Sequence, residues 1–264
     1  MFLANNMILG VPKDEKKQSK QFWDKYANKS KTDKKGAHSD KNLVALEDEF
    51  VYSVLKKLKP KSLLDIGCGN GQRTVRFSKF VKGKTLGIDF SENMIKQCKP
   101  VKEKVSFECV NASEITGKFD VIVSCRCMIN ILSKNKQLQQ FKIIHDRLNK
   151  NGSLIIVEGS KQGYSRMNAL RKKFKLDPIK VVWHNLALDE DFLFPKISKI
   201  FKTKQINRLG MYYFLTRVIN PCTIYPQKPD PESKLNNVSL KAEQLFDNVL
   251  DQYGAHLLVH FQKI

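Results

Sequence analysis

Arginine is scarce in this sequence, although the chain is strongly basic. Of its 264 residues 47 are Lys or Arg, only 8 of these are Arg, and the formal net charge is +21. Such a charge raises the question of a polyanionic partner. Arg is the residue that forks onto phosphates and guanine edges, whereas Lys is a solvated point charge. A Lys-rich surface is therefore the simpler interpretation, and an anionic small molecule is the functional alternative.

Several other classes of protein are disfavoured by what the sequence lacks. The six cysteines include no C-x-x-C pair, and no Cys/His spacing is typical of a zinc site. Reduced thiols and no metal are therefore expected. No apolar run approaches the roughly 18 residues of a membrane-spanning helix. The N-terminus has no basic segment ahead of an apolar one, so a signal peptide is not expected and the expected compartment is the cytoplasm.

The chain divides into a polar N-terminal arm and one domain. Residues 1–40 are rich in Lys and are expected to form a flexible arm with one docking helix, whose aromatic side carries Phe22, Trp23 and Tyr26. Residues 41–264 are expected to form the domain. Apolar strands alternate there with helical stretches, which predicts βαβ units and a parallel sheet. The first five predicted strands cover residues 62–66, 85–89, 105–110, 119–124 and 153–158.

The pattern is less regular after residue 158. Helices are predicted over residues 164–176 and 239–253, and a Pro-rich loop over residues 220–237. Strands are predicted over residues 208–219 and 255–263. Because no internal repeat and no second complete core are present, residues 160–254 are expected to contain insertions that shape an acceptor site within the same domain.

A glycine-rich turn follows the first predicted strand, and Asp65 precedes its first glycine by two residues. A carboxylate at that point repels a pyrophosphate, which prefers the amides of a helix N-terminus. S-adenosylmethionine has no phosphate, and its ammonium and sulfonium groups are both favoured by a carboxylate. The spacing G-x-G-x-G also differs from the dinucleotide pattern G-x-G-x-x-G. The turn therefore favours S-adenosylmethionine over a dinucleotide.

Two strand ends supply further candidates for an adenosine site. Asp89 ends the second predicted strand, where a carboxylate can accept hydrogen bonds from both ribose hydroxyls. Asn111 follows the third strand and can bond the adenine edge, while the small Ala112 leaves room for the base. The predicted cofactor-binding residues are Tyr26, Asp65, Gly67, Cys68, Gly69, Gly71, Asp89, Phe90, Met94, Asn111, Ala112 and Ser124.

Together these motifs resemble those of class I S-adenosylmethionine-dependent methyltransferases, from about residue 23 to residue 158. The resemblance rests on the Phe22-Trp-Asp-Lys-Tyr-Ala opening, the D-x-G-x-G-x-G turn, Asp89, Asn111 and the Asn151-Gly152 turn. It implies a Rossmann-like α/β fold: a mostly parallel seven-stranded sheet of order 3-2-1-4-5-7-6 with helices on both faces. The last strand is then antiparallel. Residues 208–219 and 255–263 are the candidates for strands six and seven, and the long segment between them departs from the family's usual short hairpin.

In this family the acceptor lies over the carboxyl ends of the strands, near the sulfonium. Residues 124–130 lack the Asn/Asp-Pro-Pro-Tyr/Phe sequence of nucleic-acid amino-methylating relatives, and no cysteine has the surroundings of a base-methylating nucleophile. Arg126 is expected either to hold an anionic acceptor or to form a salt bridge. The predicted acceptor-binding residues are Arg126, Asn130, Glu158, Trp183, Asn185, Tyr213 and Arg217.

A hydroxyl acceptor benefits from a base that titrates near neutral pH, and His184 is the candidate. The alternative is a structural histidine bonded to loop backbone. His145 is expected to be structural, and His38, His256 and His260 have no supporting context. The favoured function is methyl transfer to a sugar, nucleotide-linked or phosphorylated small molecule. The alternatives are an RNA methyltransferase that grips RNA with the basic arm, a non-enzymatic binding protein and, least favoured because of Asp65, a dehydrogenase.

Overall fold

The computed structural model describes residues 22–27, 40–246 and 248–264. The predicted flexible arm therefore lies outside the described residues apart from its aromatic segment, and His38 lies outside them too. Residues 22–27 are helical and are called α1 here. Within these ranges, no helix is both long and apolar enough to cross a membrane.

A seven-stranded sheet of order β3-β2-β1-β4-β5-β7-β6 forms the centre of the domain. Strands β1 to β5 pair in parallel, and β7 is antiparallel to both of its neighbours. The predicted fold class, strand order and antiparallel last strand are thereby confirmed. The strands are β1 Ser62–Ile66, β2 Lys84–Asp89, β3 Val105–Cys109, β4 Phe119–Cys125, β5 Leu148–Gly159, β6 Phe201–Asn207 and β7 His256–Lys263.

Helices cover both faces of this sheet, because the central strands carry apolar side chains on both sides. In β5, Ile155 and Val157 belong to the same core cluster as residues of the helix Lys41–Leu58, whereas Leu154 and Ile156 belong to the cluster that contains residues of the helix Lys134–Arg147. Parallel strands buried in this way read as nearly continuous apolar runs. The helices after α1 are α2 Lys41–Leu58, α3 Gln72–Ser78, α4 Glu92–Ile95, α5 Lys134–Arg147, α6 Lys161–Lys173, α7 Glu190–Ile197, α8 Gly210–Phe214, α9 Asn220–Ile224 and α10 Lys234–Leu245.

The prediction of strand six at residues 208–219 is wrong. That segment is α8 followed by the π-helical turn Leu215–Ile219, and β6 lies just before it at Phe201–Asn207. Tyr212 and Val218 in this segment are fully buried. A short apolar run of this kind fits the sequence pattern of a strand and of a helix equally well. The true strand β6 lies at the sheet edge and carries exposed Lys202 and Lys204. Lysines on an edge strand prevent pairing with other chains, but they also remove the alternation of apolar and polar residues by which a strand is predicted.

The insertion between β6 and β7 is more helical than predicted. The expected loop over residues 220–237 contains α9 and the start of α10. The helix expected over residues 239–253 starts earlier and ends at Leu245. Its start is fixed by Ser233, whose side chain accepts a hydrogen bond from the Asn236 amide (3.3 Å). Helix α7, which contains Pro195, has no counterpart in the sequence prediction.

Candidate functional site

The glycine-rich turn connects β1 to α3 at the carboxyl edge of the sheet. The amides of Gly67 and Cys68 both donate to the Ile88 carbonyl of β2, at 2.8 and 2.9 Å. Gly67 and Gly71 have φ of +75°, and Gly69 has φ of +55°. All three predicted glycines therefore adopt the left-handed conformation that a side chain disfavours, and at Gly69 nothing in the described part of the chain lies within 4 Å of the Cβ position.

Asp89 ends β2 directly beside this turn. Its Oδ2 accepts from the Gly69 amide (3.0 Å) and its Oδ1 from the Ser91 amide (2.9 Å). Burial raises the pKa of Asp89 although these hydrogen bonds oppose the shift. Each carboxylate oxygen keeps a second lone pair, so the group can also accept from two neighbouring hydroxyls.

Asp65 is buried beneath the same turn. The Thr74 hydroxyl of α3 donates to its Oδ2 at 2.6 Å. Burial raises its pKa to about 6, against the opposing effects of that hydrogen bond and of the Arg73 charge. A buried carboxylate of this kind is stabilised when a cation binds next to it.

The side chains predicted to enclose the adenine differ in exposure. Met94 is buried and Phe90 is partly buried, but Asn111 is exposed. The backbone amide and Nδ2 of Asn111 donate to the two carboxylate oxygens of Glu114, at 2.8 and 3.1 Å. The adenine contacts of Asn111 and Ala112 stay predictions.

Helix α1 connects the cofactor side of the edge to the acceptor side. Ser91 donates to Asp24 (2.5 Å), and Gln97 donates to the Ala27 carbonyl (3.0 Å). At its other end, the Phe22 ring lies 4.2 Å from the His184 ring. Tyr26 packs against the Trp23 ring at 5.6 Å, inside the same aromatic group. The predicted docking helix thus bridges the ends of α4 and the segment around His184.

The segment that carries Trp183, His184 and Asn185 lies over the carboxyl ends of β4 and β5. The Leu186 amide donates to the Ile129 carbonyl (2.6 Å), and the Leu188 amide donates to the Gly159 carbonyl (2.8 Å). Burial lowers the pKa of His184. Its Nδ1 is buried and has no hydrogen-bond partner among the described residues. The catalytic and the structural role weighed for His184 both stay predictions.

Arg126 and Asn130 occupy the turn after β4. Arg126 has φ of +55°, and its amide donates to the Val157 carbonyl at 2.7 Å. Its guanidinium forms a salt bridge with Glu47 of α2. Asn130 donates through Nδ2 to the Arg126 carbonyl at 3.0 Å. Of the two roles weighed for Arg126, the salt bridge is the one that the structure contains.

Glu158 lies below this turn and is fully buried. Its carboxylate accepts from the amides of Met128 (2.9 Å), Cys127 (3.1 Å) and Ile129 (3.3 Å), and from the Ser124 hydroxyl (3.3 Å). Burial raises its pKa to about 7, although these hydrogen bonds oppose the shift. Glu158 therefore positions the turn after β4, and its contact with an acceptor stays a prediction.

Three independent comparisons place these motifs among known proteins. A family model described as "Methyltransferase domain" matches residues 57–208, which is more than half of the chain. The chain belongs to this methyltransferase family. The resemblance drawn from the glycine turn and Asp89 is confirmed.

A relative and two solved structures illustrate the similarity of this methyltransferase domain. A protein of Invertebrate iridescent virus 6, named as a candidate methyltransferase, is 29% identical over 136 residues, 50% of each chain. The magnesium protoporphyrin IX methyltransferase of Synechocystis PCC 6803, solved with S-adenosylhomocysteine, has TM-score 0.61 and 12% identity, over 94% of this chain and 100% of that chain. The N-methyltransferase NodS of Bradyrhizobium japonicum WM9 with the same ligand has TM-score 0.57 and 12% identity, over 93% and 98%. The sequence match thus spans about half of the relative, and the structures share the fold.

On the acceptor side of the methyltransferase domain, Tyr213 and Arg217 come from α8 and the turn after it. Arg217 pairs with Asp40 at 2.6 Å, and the Tyr212 hydroxyl donates to the same carboxylate at 2.6 Å. The buried Tyr213 ring lies 5.5 Å from the His256 ring. Arg217 thus joins the insertion to the N-terminal end of α2, and Tyr213 packs against β7.

A buried cluster centred on Glu47 was missed by the sequence prediction. The Glu47 carboxylate accepts from Arg73 and Arg126 and lies 2.8 Å from His256 Nδ1. A signal was available, because Glu47 interrupts the apolar stripe of α2 one helical turn after Leu43. An acid on a buried face predicts a buried partner. His256, which the sequence left without context, gains it only from the fold.

Proposed function

We propose that this chain transfers the methyl group of S-adenosylmethionine to a small-molecule acceptor. The observation that carries the proposal is the glycine turn, with buried Asp65 beneath it and Asp89 beside it. These groups fit the cofactor, because among the described residues nothing lies within 4 Å of the Cβ position of Gly69, Asp89 can accept from ribose hydroxyls and Asp65 complements an ammonium. The solved relatives were crystallised with S-adenosylhomocysteine, which supports the same ligand here.

The aromatic group around His184 supports a small acceptor. The bound cofactor supplies an electrophilic methyl group, so the protein's own task is to align the acceptor with it and to exclude water. The aromatic group of Phe22, Trp23 and Trp183 covers His184. Since burial favours neutral His184, its imidazole is available to take a proton from a hydroxyl acceptor. His184 is accordingly proposed as the base, and a sugar, nucleotide-linked or phosphorylated compound as the acceptor.

The cofactor can be tested without knowledge of the acceptor. Calorimetry is expected to show micromolar binding of S-adenosylmethionine and S-adenosylhomocysteine to the full chain. Asp89→Ala should weaken binding about 100-fold, because two hydrogen bonds to a charged acceptor are lost. Glu92→Ala, which removes an exposed carboxylate of α4, is the matched control and should bind like the wild type. Absence of binding to both ligands by the wild type would remove the proposed activity.

The affinity for S-adenosylhomocysteine is expected to depend on the ionisation of Asp65. Its carboxyl pKa is about 6, so the charged form that attracts the ligand's ammonium is lost as the pH falls below that value. Affinity should fall by up to about tenfold per pH unit between pH 6 and pH 4.5 and should be constant above pH 7. 5′-Methylthioadenosine, which lacks the amino-acid moiety, should show a flatter profile measured by the same calorimetry. Asp65→Asn should give the two ligands the same pH profile. If the profiles still differ in this variant, the pH dependence belongs to another group.

A further inference from the structure

Arg73 of α3 follows the glycine turn by two residues and is held by two carboxylates of α2. Its Nε lies 2.7 Å from Asp48 Oδ1, and its Nη1 donates to Glu47 Oε2 at 3.4 Å. Nη2 is shielded from solvent and has no hydrogen-bond partner among the described residues, whereas Nε, which is also shielded, lies at ion-pair distance from Asp48 without the geometry of a hydrogen bond. A buried guanidinium donor without an acceptor is costly. The unpaired Nη2 is therefore consistent with a bound ligand that supplies the hydrogen-bond acceptor.

The environment of Arg73 indicates which ligand group that is. Arg73 and Asp65 interact electrostatically, and the Asp65 carboxylate lies beneath the glycine turn. Cys125, at the end of the adjacent strand β4, also lies within range of Arg73. A cation and an anion are thus placed together at the carboxyl edge. The amino-acid moiety of S-adenosylmethionine carries an ammonium and a carboxylate on one carbon, so its site must present both charges close together.

Neighbouring Arg76 has no buried nitrogen without a hydrogen-bond partner in the described part of the chain, in contrast to Arg73. Arg76 lies on the same helix and binds the other oxygen of Asp48, at 2.9 Å from Nη2, and its Nε also contacts the Tyr52 hydroxyl. Its side chain is 40% exposed, against 20% for Arg73. Arg76 therefore provides an ion pair to the same carboxylate without a buried unpaired donor.

We propose that Arg73 donates from Nη2 to the carboxylate of the methionine moiety of S-adenosylmethionine, while Asp65 faces its ammonium. This inference rests on the proposed function and adds a ligand contact that the sequence prediction did not contain. Glu47 and Asp48 then act as positioning residues, because Glu47 accepts a hydrogen bond from Nη1 and Asp48 forms an ion pair at Nε.

The test compares two ligands by calorimetry on the full chain. S-adenosylhomocysteine carries the carboxylate, and 5′-methylthioadenosine keeps the adenosine and the thioether but lacks the amino acid. Arg73→Met is expected to weaken S-adenosylhomocysteine binding about 10- to 100-fold, the effect of one hydrogen bond between charged groups, and to change 5′-methylthioadenosine binding by less than about threefold. Arg76→Met removes an Asp48 ion pair from the same helix and should leave both affinities within about threefold.

The outcomes separate this inference from the proposed function. Equal weakening of both ligands, or an unchanged affinity for S-adenosylhomocysteine, would overturn the role of Arg73 while leaving the cofactor assignment in place. A wild-type chain that binds neither ligand would remove both. If Arg73→Met does not fold, Arg73→Lys decides, because it keeps the charge but loses the forked geometry. Its affinity for S-adenosylhomocysteine should then fall relative to that for 5′-methylthioadenosine, and an unchanged ratio would overturn the inference.

Discussion

Replacement of Glu47 by Ala is expected to lower the free energy of unfolding by about 3–5 kcal/mol, the range observed when one partner of a buried ion pair is removed. Glu47 is fully buried. Its carboxylate binds Arg73 Nη1 at 3.4 Å and Arg126, and it lies 2.8 Å from His256 Nδ1. The substitution leaves two guanidinium groups beside each other without their shared counter-ion, and it also opens a gap between α2 and β7.

Chemical denaturation of the variant and the wild type measures this loss. Glu49→Ala is the matched control, since Glu49 is an exposed acid of the same helix that accepts one hydrogen bond from Gln244 at 2.7 Å. Its effect should stay within about 0.5 kcal/mol, as for other surface substitutions. Glu47→Gln keeps the shape and removes the charge, so it separates the electrostatic loss from the packing loss. A loss below about 1 kcal/mol for Glu47→Ala would contradict the role assigned to the cluster.

The same cluster gives the stability a defined pH dependence. Burial opposes the charged form of Glu47, but Arg126 and His256 outweigh it and hold the pKa of this carboxyl below its ordinary value of 4.5. A carboxyl whose pKa is lower in the folded state stabilises the protein above its unfolded pKa, and this contribution disappears as the pH falls through the folded pKa. The difference in unfolding free energy between the wild type and Glu47→Ala should therefore be largest at pH 7 and should become smaller as the pH falls into the acid range.

The part of the fold that the sequence predicts best is the part where local signals agree. Strands β1 to β5 are short apolar runs separated by turns and by capped helices, and Ser91 and Ser133 cap α4 and α5. The glycine turn has the left-handed backbone that its three glycines require. Each of these features depends on neighbours in the chain, so a single sequence contains the information.

The C-terminal half could not be predicted as well, because its structure depends on distant contacts. The segment from Gly210 to Ile219 is helical, and two contacts of Tyr212 hold it in place. The Tyr212 hydroxyl donates to Asp40, 172 residues away, and the Tyr212 amide donates to Glu243 of α10 at 2.7 Å. Neither contact has a local signature. Strand β6 is specified by its pairing with β7, not by an apolar pattern of its own.

The role of the few Arg residues also depends on distant contacts that the composition does not reveal. Arg73, Arg126, Arg208 and Arg217 each form an ion pair with a carboxylate that is nearly or fully shielded from solvent. The planar guanidinium suits such buried pairs, whereas the ammonium of Lys is strongly hydrated. The few Arg residues thus stabilise the interior around the carboxyl edge, and this role of Arg follows from burial, which composition does not contain.

Substitution of Gly71 by Ala is expected to abolish measurable S-adenosylhomocysteine binding and to lower the free energy of unfolding by about 2–4 kcal/mol. The residue has φ of +75°, and an added Cβ would lie 2.6 Å from the Phe107 ring and 3.0 Å from Cys98 Sγ. The turn must therefore move away from β3, which displaces the amides that approach the ligand.

Gly69→Ala separates backbone strain from this steric conflict. Gly69 has φ of +55°, but nothing lies within 4 Å of an added Cβ, so only the left-handed penalty of about 1–2 kcal/mol is expected. Phe107→Leu combined with Gly71→Ala should recover part of the stability lost by Gly71→Ala, because the ring atoms that oppose the Cβ are removed. Equal destabilisation by Gly69→Ala and Gly71→Ala, measured by chemical denaturation, would show that the conformation of the turn, and not its contact with β3, requires glycine at this position.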